Sequence, residues 1–253
     1  MENLVANQEP KFKFPTETID LPSKGLLYSK DSPLSKGTLE MKYMTAKEED
    51  ILTNQNYIKQ GIVLDKLLQA LIVTKINFND LLIGDKNAIM IASRILGYGK
   101  DYTFDYKGEE HTVDLSLLEP NPLKEELFKD GKNEFHFQLP SSKTNITFKL
   151  LNHGDERKVE QEIKGFKKIN KHANPILSTR LKHLILSVEG DYEKKTIREF
   201  VDNFMLARDS RDLRQYMRTI QPNVDLVFDY TDEEGTQESV DIPINVNFFW
   251  PGS

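Results

Sequence analysis

The stretch LPSKGLLYSKDSPLSKGTLEMKYMTAKEED, residues 21–50, reads as turns, then a strand, then a capped helix. Pro22 with Gly25, and Pro33 with Gly37, punctuate two turns, because proline presets one backbone angle and glycine accepts the left-handed one. From Thr38 to Met44 the residues alternate. Leu39, Met41 and Tyr43 fall on one face and Glu40 and Lys42 on the other, the pattern of a half-buried strand. Thr45 stands three residues before Glu48, the spacing of a capping box, in which each side chain takes the other residue's amide. Such a cap stabilises a helix by about 1 kcal/mol. Nothing in the stretch is an arrangement that does chemistry.

Working outward, residues 1–20 are polar, with Pro10 and Pro15, and read as an extended arm ordered by whatever binds it. Downstream, IVLDKLLQALIV puts Leu64, Leu67, Leu68, Leu71 and Ile72 on one helical stripe. NAIMIASRILGYG is a second helix, stopped at Gly97 or Gly99. DYTFDYKGEEHTVDLSLL is a hairpin: Tyr102, Phe104 and Tyr106 alternate, KGEE turns, and Val113 and Leu115 return.

The same plan recurs. LPS returns at residues 139–141, followed by an alternating strand from Ile146 to Leu151. Asn152 and Asp155 repeat the spacing of Thr45 and Glu48, and Lys149 that of Lys42. STRLKHLILSV matches VLDKLLQALIV in pattern. FMLARDSRDLRQYMRTIQPNVDLVFDY aligns without a gap on DLLIGDKNAIMIASRILGYGKDYTFDY, pairing Leu82 with Leu206, Asp85 with Asp209, Phe104 with Phe228 and Tyr106 with Tyr230. VDL after the first hairpin answers VDI after the second. The expected fold class is α+β: two similar tandem units, residues 21–120 and 121–253, packed together behind the arm. Each is small for an independent core.

Composition narrows the function. Hydrophobic residues are 38% and charged residues 29%, ordinary for a globular chain. A net charge of −6 gives no global attraction to nucleic acid or anionic membranes. No cysteine is present, which removes disulfides, thiolate nucleophiles and zinc–sulfur sites. Residues 1–15 hold no signal-peptide core, and no apolar run has the length of a membrane span.

The five histidines, His111, His136, His153, His172 and His183, show no metal-ligand spacing. GYGKDY, residues 97–102, follows a helix and precedes a strand, the wrong order for a phosphate loop. Two hairpins could suggest a zinc ribbon, but the turns carry no cysteine. Packing of Phe104, Tyr106, Phe228 and Tyr230 is the expected substitute. The expectation is no enzyme, no cofactor and no metal. One basic strip, residues 164–183, holds Lys164, Lys167, Lys168, Lys171, Arg180 and Lys182. It reads as a solvated face, or alternatively as the site of a nucleic-acid-binding accessory factor. At the C-terminal end Phe248, Phe249 and Trp250 are adjacent. On a strand they could not share a face, so at least one is left for the other unit or for a partner.

IDLPSKGLLY, the KYMTAKEEDIL junction, LLIGDKNAIMIASRILGYGKDY and the final FFWP resemble the baseplate hub family of T-even-like contractile-tailed bacteriophages, its subunits and hub assembly chaperones. The resemblance covers most of the chain from Ile19 to Pro251. It implies a non-enzymatic tail assembly protein that grips hub components or the tape-measure protein, in the host cytoplasm or in the virion tail baseplate. The expected contact residues are Leu21, Pro22, Leu26, Tyr28, Phe249 and Trp250.

Overall fold

A computed structural model describes residues 15–128, 131–172, 174–231, 235–244 and 246–249. Strand β1 (Thr16–Asp20) pairs antiparallel with β2 (Thr38–Lys42), setting Ile19 opposite Leu39 and Glu17 opposite Met41. This corrects the expected arm over its last residues: TETID finds backbone partners in TLEMK and is a strand. Residues 1–14 lie outside the described ones. Between the strands the chain closes on itself, with Leu21 N donating to Gly37 O at 2.8 Å.

Helices α1 (Ala46–Leu52), α2 (Gln55–Gln60) and α3 (Val63–Leu71) follow. The α1 capping box forms as its spacing implies. Glu48 accepts from the Thr45 amide at 3.1 Å and the Thr45 hydroxyl at 2.6 Å, and takes Lys42 Nζ at 2.8 Å. The stripe on α3 buries Leu67, Leu68 and Leu71, while Ile72 leaves the helix to bridge Met41 of β2. Helix α4 (Ile83–Tyr98) begins four residues before the NAIM reading and ends at Gly99. Strands β3 (Asp101–Tyr106) and β4 (Glu109–Asp114) are joined by Lys107 and Gly108, both at positive φ, the two-residue turn whose twist suits a hairpin.

The second half opens with β5 (Phe135–Gln138) and β6 (Asn145–Phe148), whose Phe137–Ile146 and Phe135–Phe148 pairs frame a second LPS turn. Helix α5 (His153–Ile169) starts in a capping box of Asn152 and Asp155, and Asp155 takes Lys149 Nζ at 2.7 Å. Helix α6 (Ile176–Leu184) delivers β7 (Ile185–Val188) to the edge of β6, giving the order β5-β6-β7. The helical reading of STRLKHLILSV is corrected at its end. ILSV is a strand, because β-branched and apolar residues there meet an open sheet edge. Helices α7 (Lys194–Asn203) and α8 (Ala207–Ile220) lead to the hairpin β8 (Val227–Thr231) and β9 (Gln237–Asp241). Residues 232–236 join those strands, a longer connection than 107–108. Val240 therefore faces Phe228 whereas Val113 faces Tyr102, so VDL and VDI stand out of step. The fold is α+β, with small antiparallel sheets and one buried apolar cluster running through both halves.

Two carboxylates hold the turns. Asp85, the third residue of α4, is fully buried. It accepts from Ser23 N at 2.9 Å, Ser23 Oγ at 2.7 Å and Tyr28 OH at 2.6 Å. Tyr28 OH accepts in turn from Leu82 N at 2.9 Å. Asp209, the third residue of α8, accepts from Ser141 N at 2.7 Å and Ser142 N at 3.0 Å. Burial pushes both carboxyls up. At Asp85 it prevails over the bonds from Tyr28 and Ser23, and the group sits above the usual carboxylate range. At Asp209 the serine bonds prevail and the group sits below it.

Asp85→Ala leaves the Tyr28 and Ser23 donors without an acceptor. It is expected to cost about 3 kcal/mol, read as a lower urea midpoint at unchanged slope. The asparagine variants separate the two carboxylates by pH. A depressed native pKa contributes stability that is present above the unfolded value and lost on acidification; a raised one acts in the opposite sense. Urea melts between about pH 4 and pH 7 should therefore show Asp209→Asn costing most at neutrality and Asp85→Asn costing most in acid.

Candidate functional site

Five of the six expected contact residues, all but Trp250, do not form a surface. Leu21 and Tyr28 are 2% and 7% exposed, Pro22 is buried and Leu26 half-buried. The turn they shape is tied down by Asp85, so their side chains pack on the protein's own core. Phe249 is also fully buried, and Trp250 lies outside the described residues. The reading of Phe248 and Phe249 as strand residues is corrected too. Residues Val246–Phe249 form a 3-10 turn, whose tighter winding lets Phe248 and Phe249 both turn inward. The Phe248 ring meets Tyr102 edge-on at 4.8 Å and Phe249 at 5.1 Å, while Tyr102 OH donates to Pro243 O at 3.0 Å. Phe248 thus packs on the first half of the chain, with Phe249 against it.

The hairpins meet through the four rings singled out in the sequence. Phe104 lies 4.9 Å from Phe228, and Tyr106 lies 5.6 Å from Phe228 and 5.2 Å from Tyr230, all edge to face. His111 joins this box, 5.3 Å from Phe228 and 5.5 Å from Tyr230. Lys107 lies over the Tyr230 ring at 4.6 Å and pairs with Glu238 across the hairpins.

Beside the box, a cleft of about 830 Å³ runs between the halves. Among the polar residues that line it, three from three helices meet. Lys86 of α4 donates to Asp65 of α3 at 2.6 Å, and its Nζ lies 3.2 Å from Nδ1 of His153 on α5. His153 Nε2 stands 3.3 Å from the other oxygen of Asp65. Burial pushes the Asp65 carboxyl up, but bonds from His153 and Lys86 outweigh it and hold the group below its ordinary range. No residue spacing announced this cluster; the three side chains come from separate helices. Its chemistry is that of a clamp: the Lys86 ammonium is engaged by both neighbours. Around it the backbones also join, His153 N to Leu81 O at 2.7 Å and Leu82 to Asn152 in a β-bridge. Among the described residues no group of three or more His, Asp or Glu side chains could hold a metal ion. No helix among them is long and apolar enough to cross a membrane.

The basic strip divides. Arg180 forks onto Glu156, Lys182 pairs with Asp202 at 2.7 Å and His183 with Glu162 at 2.9 Å. Lys167, Lys168 and Lys171 are exposed at and just beyond the end of α5, near Phe166 and Ile169, the latter 89% exposed. A second apolar exposure lies at the α7–α8 junction, where Phe204 is 61% and Leu206 49% exposed. No family model, no curated protein and no solved structure matches the chain.

Asp65→Asn should weaken the clamp by about 2 kcal/mol at neutral pH, the worth of hydrogen bonds to a charged group. Because the native carboxyl is depressed, the stabilisation exists above the unfolded carboxyl pKa and disappears as the pH falls through the native one. Hydrogen exchange at the His153 amide, which spans the two halves, is the local readout. Its protection should drop in the variant at pH 7 more than that of amides inside α8.

Proposed function

We propose that the chain is a baseplate hub subunit or hub assembly chaperone of a T-even-like contractile-tailed bacteriophage, acting by protein–protein contact on hub or tape-measure components without catalysis. One observation carries the reading. The strings that resemble that family are the ones whose residues fix each other. Ser23 and Tyr28 of IDLPSKGLLY meet Leu82 and Asp85 of LLIGDKNAIMIASRILGYGKDY, and Lys42, Thr45 and Glu48 of the KYMTAKEEDIL junction bind one another. The likeness therefore touches the residues on which the local geometry depends, not a generic apolar pattern.

The finer architecture belongs to the same proposal: two tandem units, residues 21–120 and 121–253, of one ancestral plan. The support is parallel detail. Each has an LPS turn held by a carboxylate at the third position of a helix, Asp85 or Asp209. Each has a capping box with the same lysine pair, Lys42–Glu48 or Lys149–Asp155. Each has a nine-residue helix, α3 or α6, whose next residue pairs with the preceding strand, Ile72 with Met41 or Ile185 with Phe148. Each ends in a hairpin carrying FDY.

The working surface moves away from Leu21, Pro22, Leu26, Tyr28 and Phe249 to exposed residues, the α5 end and the Phe204–Leu206 edge. A second reading, a nucleic-acid-binding accessory factor, draws on Lys167, Lys168 and Lys171, for which no ion pair is seen among the described residues. Affinity purification of tagged protein from infected host cells should recover tail hub or tape-measure proteins at moderate salt. Recovery of nucleic acid instead, lost on Lys167→Glu/Lys168→Glu, would favour the second reading. Mass spectrometry of purified virions then distinguishes a retained subunit, present in fixed copy number, from a transient chaperone.

A further inference from the structure

The joint between the halves suggests what their outer edges are built to refuse; the argument rests on the two-unit reading above. At the joint, the starts of α4 and α5 lie together through the Leu82–Asn152 bridge and the His153-to-Leu81 bond. The second residue of each helix is glycine, required at Gly84 and tightly fitted at Gly154. A Cβ on Gly84 would stand 1.7 Å from Pro222 O, and one on Gly154 would stand 3.1 Å from Asn79 O. Leu81 and Leu82 are covered there, 0% and 4% exposed.

The outer edges carry the matching starts, those of α1 and α8. In α8 the residues matching Leu81 and Leu82 are Met205, half-buried, and Leu206, 49% exposed, with Phe204 alongside at 61%. The first unit offers Thr45 and Ala46 where the second used Asn152 and His153. The second residue of each outer helix is not glycine but a cation. Lys47 stands where Gly154 does and Arg208 where Gly84 does, and both are exposed. Their own helices do not call for them, since the positive end of a helix dipole favours acids. A large side chain at either place collides with any partner that approaches as one half approaches the other.

We infer that the outer edges are complementary to each other as the inner edges are, and that Lys47 and Arg208 keep a second copy of this chain from adding head to tail. Such an addition is heterologous: it repeats into a ring or an open fibre unless something stops it. Terminal members of repeat arrays carry polar outer faces for the same reason.

Sedimentation over a concentration series tests this with the full chain, Lys47→Gly/Arg208→Gly, and that double variant with Leu206→Asp added. Circular dichroism and a thermal melt confirm that each is folded. The expected result is a wild-type mass of one chain, 29.3 kDa. The double variant should rise to at least twice that mass as concentration increases, and the triple variant should return to one chain. A folded double variant that stays monomeric overturns the inference, as does association that Leu206→Asp leaves unchanged. Wild-type protein that already associates in a Leu206-dependent way overturns it too. None of these outcomes bears on the two-unit reading, which fails separately if experimental coordinates do not superpose Leu39, Met41 and Glu48 on Ile146, Phe148 and Asp155.

Discussion

A carboxylate at the third position of a helix, turned away from solvent to catch a serine turn, is the constraint around which each half is arranged. The first turn of a helix exposes amides and the positive end of its dipole, so an acid there is favoured before it touches anything else. Asp85 and Asp209 use that position to reach a turn 62 and 68 residues earlier in the chain. The turn, so held, sets the register of the strands on either side of it, and the strands place the apolar faces of β2 and β6 against the helices. Loss of the carboxylate would release the turn first and the register second. The two sites reach different balances: at Asp85, which accepts from one amide and two hydroxyls, desolvation prevails, whereas at Asp209 the bonds from Ser141 and Ser142 prevail.

What could be read from the sequence was local. Both capping boxes were visible because both partners lie within three residues of each other. The α3 stripe and the hairpins were visible because their periodicity repeats over several residues. What was missed depended on distant partners. TETID is polar and its pairing is decided by β2, so it resembled a tail. ILSV continues an apolar helix and becomes a strand only because β6 has a free edge. Asp85 and Asp209 were matched as a pair, yet nothing near them told that they would be buried acceptors. The Asp65–Lys86–His153 clamp joins three helices and has no signature at all. Leu21, Pro22, Leu26, Tyr28 and Phe249 failed as contact residues for a related reason. Large apolar side chains beside special turns mark tight packing as readily as exposure, and only burial separates the two.

The two hairpins show what joins a pair of small β-structures in a chain with no cysteine for a disulfide or a zinc–sulfur site. Four aromatic rings and His111 interlock edge to face between the hairpins, so each covers the face the other would leave open. A two-stranded hairpin alone is marginal in water; two that share an aromatic box form a four-stranded body. Lys107 and Glu238 close its outer side, where salt weakens the pair without reaching the rings.

The placement of Phe248 against Tyr102 also has a consequence in time. Tyr102 and Pro243 are 141 residues apart along the chain, and the contact they share completes the cover over α4 and β3. During synthesis those apolar faces emerge early and wait for the segment that closes them. Folding rate falls as contacts become less local, and open apolar surface in the interval is what chaperones recognise. A nascent chain halted before residue 246 would hold most of its helices and yet keep a sticky, unfinished flank.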